Sequence, residues 1–255
     1  MSANRQDIRF SSSRTTSSRK CRSALADTLS QMRTVAILPV KRFSLAKQRL
    51  GESVTEQLRL DLARAMVGDV LVALSQCAAI ELTIVVTNEP SVTAAAGYTG
   101  AVVVADTAES GQSAAVSIGI ERALAERAER VLCIPGDCPA LDPGELDVML
   151  RGAPSEVVVI PDRHGTGTNG LLLTPPDVMT PSFGPDSCKR HGELATSAGA
   201  SWQIEPVTSL QLDIDTGADL AVLRERLAGN HGQAPRTRSV LGMVEGHWRS
   251  SQPAA

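Results

Sequence analysis

Aromatic side chains are scarce in this sequence: three Phe, two Trp and one Tyr among 255 residues, or 2%. Proteins that hold single-stranded nucleic acid stack its bases on aromatic rings, and little here could serve as such a platform. Charge of one sign is lacking too. A formal net charge of −3 supplies no basic field for a polyanionic duplex, so nucleic acid is not an expected partner. Cysteines are few and scattered, at positions 21, 77, 133, 138 and 188, and no two form a C-x-x-C pair. That spacing suggests neither a zinc site nor a disulfide framework, and a reducing cytoplasm is the expected setting. No apolar run reaches the roughly 20 residues that span a bilayer, and no membrane association is expected.

Several catalytic signatures are missing as well. There is no G-x-x-x-x-G-K-[ST], which removes a P-loop nucleotidase, and no H-E-x-x-H. None of the four histidines stands near a Ser or Cys in a nucleophile-elbow context. Gly165, Gly167 and Gly170 in GTGTNG match G-x-G-x-x-G, but a dinucleotide fingerprint must open a helix. Here LLLTPP follows and reads as a strand, which argues against hydride transfer.

What is present is an ordinary soluble composition, 42% hydrophobic and 21% charged, with length enough for a sizeable core. Residues 1–33 are rich in Ser and Arg and lack hydrophobic periodicity. They read as a disordered tail, or as residues preceding a true start at Met32. Residues 229–255, rich in Gly, Pro, Ser and Arg, read as a second unstructured tail. The expected folded unit is 34–228.

Within it, apolar strands alternate with helical patterns. Thr34 to Val40 (TVAILPV), Leu82 to Thr87 (LTIVVT), Ala101 to Ala105 (AVVVA) and the stretch from Val131 read as buried strands. Ser53-x-x-Glu56 offers a capping box ahead of Leu58, Leu62, Met66, Val70 and Leu74, spaced every four residues along a helix. Val116, Ile120 and Leu124 mark one face of another. Asp142, Pro143 and Glu145 read as the N-cap, first turn and N3 acid of a further helix. Val157 to Ile160, Gly170 to Thr174 and Gln203 to Val207 suggest further strands, the first two antiparallel because no helix separates them. Thr216 and Asp219 cap a last helix carrying Leu220, Leu223 and Leu227. The alternation predicts an α/β fold with a mainly parallel, doubly wound sheet.

The chain is organised around VLCIPGDCPAL, Val131 to Leu141. A buried strand runs into Pro135 and Gly136, and Asp137 is the first carboxylate beyond it. In open α/β sheets ligands sit at the carboxyl ends of strands, which suits Asp137 to a metal ion; an Asp that merely serves a turn is the plainer account. Asp213 and Asp215 bracket Ile214, so in extended backbone both acids face one side, as a divalent cation on phosphates requires; acids that cap the following helix are the competing account. Lys41, Arg42, Lys47 and Arg49, in VKRFSLAKQRL, bring four cations to the same sheet edge, where polyphosphate could be held. Each taken alone reads as solvated. Ser187 stands at an expected helix start, a source of free N–H groups for phosphate unless it is a plain N-cap, and Thr168 could add a hydroxyl.

VAILPVKRFSLAKQRL, DTAESGQSAA, IPGDCPAL, PDRHGTGTNGLLL, FGPDSCKRHGELA and LDIDTGADL, in this order and spacing, resemble the 2-phospho-L-lactate or phosphoenolpyruvate guanylyltransferases of coenzyme F420 biosynthesis. The resemblance spans about residues 34 to 227. It implies a Rossmann-like nucleotidyltransferase fold, helices on both faces of a mixed sheet, and transfer of GMP from GTP to a three-carbon phospho-acid with Mg²⁺ and release of pyrophosphate. By the same resemblance, Asp137 and Asp215 ligate metal, with Asp213 in reserve, and Lys41 and Lys47 take the triphosphate. Thr168, Gly184 and Ser187 hold the acceptor, and Gln112 and Ser113 lie near the guanine, although similar proteins often carry Asn where this chain has Ser113. A downstream transferase that takes the unstable product is the implied partner.

The acceptor is already an anion, so no general base is needed, in keeping with the missing candidate histidine. Two other functions stay open on the residues alone. A sugar-nucleotide glycosyltransferase would use Asp213-Ile214-Asp215 as its D-x-D and release no pyrophosphate from GTP. A non-catalytic nucleotide-binding interaction protein would have no need of both acids and both lysines.

Overall fold

The computed structural model describes residues 32–107, 109–229 and 233–250. The expected tail before residue 32 lies outside them. Seven strands, β1 (Thr34–Val40), β2 (Leu82–Thr87), β3 (Val102–Val104), β4 (Arg130–Cys133), β5 (Val157–Pro161), β6 (Thr168–Leu173) and β7 (Trp202–Ile204), form one sheet ordered β3-β2-β1-β4-β6-β5-β7. Only β6 is antiparallel to its neighbours β4 and β5. It returns directly from β5 through the Gly165–Gly167 turn, in which Asp162 Oδ1 accepts the His164 and Thr166 N–H groups at 3.1 and 3.0 Å. The GTGTNG glycines thus serve a hairpin.

Seven helices among the described residues complete the unit: α1 (Glu56–Gln76), α2 (Pro90–Thr99), α3 (Gln112–Ala125), α4 (Pro143–Gly152), α5 (Ser187–Ser197), α6 (Gly217–Ala228) and α7 (Pro235–Ser250). Side chains alternate across a strand, and the strands other than the edge strand β7 therefore feed two cores. Ala36, Leu38, Val85, Leu132 and Val158 pack against α1, α2 and α4. Val35, Ile37, Ile84, Val131 and Val159 pack on the other face against α3 and α5. Gly119 lets α3 lie close on the sheet, because a Cβ there would collide with Ile37. None of the helices is long and apolar enough to cross a membrane.

Local expectations fail where tertiary contacts intervene. The cap of α1 is Thr55, whose hydroxyl accepts the Leu58 N–H, not Ser53. Leu124 is 40% exposed, turned away from the face that Val116 and Ile120 bury. Strand β7 ends before Val207: the Glu205 N–H still donates to Val159 O at 3.0 Å, and Pro206 then has no N–H to offer. Asp142 does cap α4, accepting the Gly144 and Glu145 N–H groups, and Thr216 with Asp219 forms the box that opens α6.

The stretch 229–255, expected to be an unstructured tail, instead contains α7. Ala234 and Leu241 enter a third cluster with Leu62, Met66, Leu220 and Leu223, and Asp69 of α1 accepts the Arg236 and Thr237 N–H groups at 3.1 and 2.8 Å. A polar composition concealed two apolar anchors one helical face wide.

Candidate active site

Strand order reverses between β1 and β4, and at such a switch point the carboxyl ends of neighbouring strands part to leave a crevice. Pro39 assists. Backbone groups alternate sides along a strand, and since Ile37 O accepts from Ile134 N, position 39 also faces β4, which has already ended at Cys133. A residue without an N–H loses no partner there. The cleft has a volume of about 360 Å³, and Pro39, Pro135 and Gly136 are part of its lining. A Cβ on Gly136 would come within 2.9 Å of Val67, so only glycine lets this loop sit on α1.

Beyond β1 the chain makes two 3-10 turns, Phe43–Leu45 and Gln48–Glu52, with Lys47 between them at φ 56. Buried Arg59 of α1 fixes this loop by donating to Phe43 O at 2.8 Å and to Ala46 O, while Glu89 accepts the Phe43 N–H at 3.0 Å. Lys47 is thereby aimed inward. Its ammonium donates to Asp137 Oδ2 and, at 2.6 Å, to Asp215 Oδ1. Burial acts to lower its pKa, but the Asp137 and Asp215 carboxylates outweigh burial and raise it, keeping the cation charged.

The two acidic loops meet through the backbone, where Ile214 N–H donates to Asp137 O at 3.2 Å. Ile214 is buried, and Asp213 and Asp215 on either side of it both line the cleft. Asp213 accepts from Asn169 Nδ2 at 3.1 Å, and the same amide donates to Leu210 O at 2.8 Å. Burial, seconded by the Asp137 charge, pushes the Asp213 pKa up. Asp215 is half exposed, its N–H held by Asp219 Oδ2 at 3.1 Å. Asp137 Oδ1 is buried and has no hydrogen-bond partner among the described residues. An orphaned, buried carboxylate oxygen beside a second carboxylate fits a hard cation such as Mg²⁺, which takes one or two protein carboxylates and fills its shell from phosphates and water.

Of the remaining expected residues, Lys41, Gln112 and Thr168 line the cleft. Arg42 and Arg49 do not: Arg42 is spent on Glu109 at 2.6 Å, and Arg49 is exposed on its turn. Gly111, at φ 106, heads α3 without a side-chain cap, leaving first-turn N–H groups on the cleft side. Ser113 lies outside the lining; its Oγ accepts the Phe183 N–H at 2.9 Å and ties α3 to the 182–186 loop. On that loop Gly184 adopts φ 115, and Ser187 opens α5 behind an Asp186 cap, so it is not itself the N-cap. Cys188 N–H donates to Thr166 O at 3.0 Å, holding the start of α5 beside the Thr168 strand.

Four functional candidates were not legible in the sequence. Asn169 and Asp106 line the cleft, Arg59 holds the lysine loop, and His191 contacts Thr168. Asn169, Asp106 and His191 lie inside the motifs GTGTNG, DTAESGQSAA and FGPDSCKRHGELA, but none of the three is singled out there as a site residue.

The family profile "Guanylyl transferase CofC like" matches residues 34–244. A phosphoenolpyruvate guanylyltransferase of Conexibacter woesei is 47% identical over 216 residues, 84% of this chain and 97% of that protein. One from Sphaerobacter thermophilus is 34% identical over 200 residues, 78% of this chain and 94% of its own length. Among solved structures, a nucleotidyl transferase from Methanothermobacter superposes with a TM-score of 0.56 at 18% identity, covering 78% of this chain and 98% of that one. A 4-diphosphocytidyl-2C-methyl-D-erythritol synthase gives 0.56 at 15% identity, covering 77% and 99%; at these identities the likeness is one of fold. The match across nearly the whole described fold, with the cleft at its switch point, makes this chain a member of the CofC-like guanylyl transferase family.

Proposed function

We propose that this enzyme transfers GMP from GTP to phosphoenolpyruvate and releases pyrophosphate, forming an activated intermediate for coenzyme F420 biosynthesis. The observation that carries the reading is the orphaned Asp137 Oδ1 beside Asp215 and Lys47 in the lining of the cleft. The names of the relatives favour phosphoenolpyruvate over 2-phospho-L-lactate as acceptor. We assign the reaction to the cytoplasm, the setting that the scattered cysteines suggest.

Asp137 and Asp215 would hold Mg²⁺, with Asp213 as a reserve ligand kept in place by Asn169. When bound, the ion supplies positive charge to the phosphate oxygens of the nucleotide. Lys47, already charged and buried at this point, offsets the charge that develops on the departing pyrophosphate. Lys41, exposed at the rim, meets the triphosphate as it enters. Gln112 and the open first turn of α3 lie on the side left for guanosine, with Ser113 acting there through the loop it tethers.

The acceptor is assigned to Thr168 in the cleft lining together with Gly184 and Ser187, which stand outside that lining. Its attacking oxygen is already anionic at neutral pH, so the chain has to bring two polyanions together in line and needs no base. The product is an activated phospho-acid, and a downstream transferase that accepts it at once is the natural partner. The test is pyrophosphate release from GTP and Mg²⁺ with phosphoenolpyruvate, with 2-phospholactate and ATP in parallel. Release with GTP and phosphoenolpyruvate is expected; no release with either acceptor, from folded protein supplied with the downstream enzyme, would overturn the assignment.

A further inference from the structure

His191 is completely buried and makes two hydrogen bonds that together specify its protonation. The Ser182 backbone N–H donates to His191 Nε2 at 3.0 Å, so that nitrogen presents a lone pair. A neutral imidazole has one N–H, which must then be on Nδ1. Nδ1 lies 3.0 Å from Thr168 Oγ1. The ring therefore donates to the hydroxyl, and the hydroxyl cannot donate to the ring.

The consequence concerns the proton of Thr168. Thr168 lines the cleft, and no other hydrogen bond of its side chain occurs among the described residues. With one lone pair of its oxygen accepting from His191, the hydroxyl must turn its proton away from the ring, and Thr168 is a lining residue of the cleft. The Phe183 ring meets the imidazole edge-on, centroids 5.0 Å apart at 74°, and prevents the ring from turning. Arg190 clamps the Ser182 end of the assembly through Ser182 O at 3.1 Å and Pro185 O at 2.8 Å.

We infer that His191 is a positioning residue that fixes Thr168 as a one-way hydrogen-bond donor to the anionic group of the acceptor phospho-acid. This rests on the reading of Thr168 as an acceptor contact. It explains a buried histidine that the reaction does not need as a base. A donor aimed at an anion attracts it, whereas a hydroxyl free to present its lone pairs would not, and hydrogen bonds to charged groups are the strong ones.

The test separates the two nitrogens. In His191→Gln, the amide oxygen can still accept from Ser182 N–H, but the donor to Thr168 is gone; in His191→Asn, the amide nitrogen can replace that donor. The expected result for His191→Gln is a rise in KM for phosphoenolpyruvate of about tenfold, with the KM for GTP unchanged, and partial rescue by His191→Asn. In a Thr168→Val background, His191→Gln should add nothing further. An equal rise of both KM values, or an equal effect of His191→Gln with and without the Thr168 hydroxyl, would show a merely structural residue and overturn the inference. If Thr168→Val itself leaves the acceptor KM unchanged, the acceptor reading falls with it; if Thr168→Val acts and His191→Gln does not, only the inference falls. Nitrogen-15 NMR of the wild-type ring needs no variant to fold: Nδ1–H is expected, and an Nε2–H tautomer would overturn the inference.

Discussion

Lys47 and Asp215 stand 168 positions apart in the chain, yet the Lys47 ammonium lies 2.6 Å from an Asp215 carboxylate oxygen. The same ammonium reaches Asp137, so one cation joins the loop after β1, the loop after β4 and the loop before α6. The cluster is held from behind by Arg59, which satisfies a carbonyl of the loop after β1, and by Asn169 and Asp219, which hold Asp213 and Asp215 in the loop before α6. Its charges, two carboxylates around one ammonium, fit the metal and phosphate proposed for it.

Asp137→Asn should abolish turnover while leaving the fold intact. The substitution keeps the shape and removes one of the charges shared with Lys47, and a loss of at least about a hundredfold in kcat is expected. Circular dichroism and pyrophosphate release read the two halves of this prediction. Full activity in a folded variant would take Asp137 out of the mechanism.

Arg59→Met should loosen the lysine loop. Its guanidinium satisfies the carbonyls of Phe43 and Ala46 from a buried position, and leaving them unpaired costs about 2 kcal/mol of stability. The KM for GTP should rise about tenfold as Lys47 loses its aim. An unchanged GTP KM would mean that this loop does not meet the nucleotide.

Asp69→Ala should destabilise the protein although the residue does not line the cleft. Its carboxylate caps α7 from another helix, accepting the Arg236 and Thr237 N–H groups, and loss of such a cap costs about 1–2 kcal/mol. Urea unfolding measures it. A midpoint identical to wild type would show that α7 adds nothing to the fold's stability.

Acid should weaken the fold through His191. Burial, with a smaller contribution from Arg190, lowers its pKa from the ordinary 6.5 to about 4, so below pH 6.5 the unfolded chain takes up a proton that the folded chain refuses. The stability associated with the neutral ring is fully present above about pH 6.5 and drains away as the pH falls through about 4. Between pH 7 and pH 5 this amounts to about 2 kcal/mol, measured by urea unfolding. His191→Gln should flatten the slope by that amount, and an identical slope in the two proteins would refute it.

How much of this was readable in advance depended on range. Strands β1, β2 and β4 were plain from apolar runs, and the caps at Asp142 and Thr216 from side chains acting on N–H groups two or three residues away. Helix α7 was hidden because Ala234 and Leu241 become apolar anchors only when α1 and α6 are in place to receive them. In the cleft, Asp137, Lys47 and Asp215 stood out by chemistry and motif. Arg59 and His191 did not, since each acts through a partner many residues distant, 16 for Phe43 and 23 for Thr168.

The amino-acid sequence by itself determined the α/β alternation, the two-faced strands, the caps at Asp142 and Thr216 and the family, because each rests on residue type and on spacings of a few positions. Tertiary structure alone decided which cations reach the cleft, which oxygen of Asp137 is left without a partner, and which way the Thr168 hydroxyl can donate. Arg42 and Lys47 are five positions apart and equally charged, yet Glu109 takes the first, while Arg59 and the left-handed turn deliver the second to the carboxylates. A charge declares itself in the sequence, but its direction is set by the backbone that carries it and by the groups that reach it first.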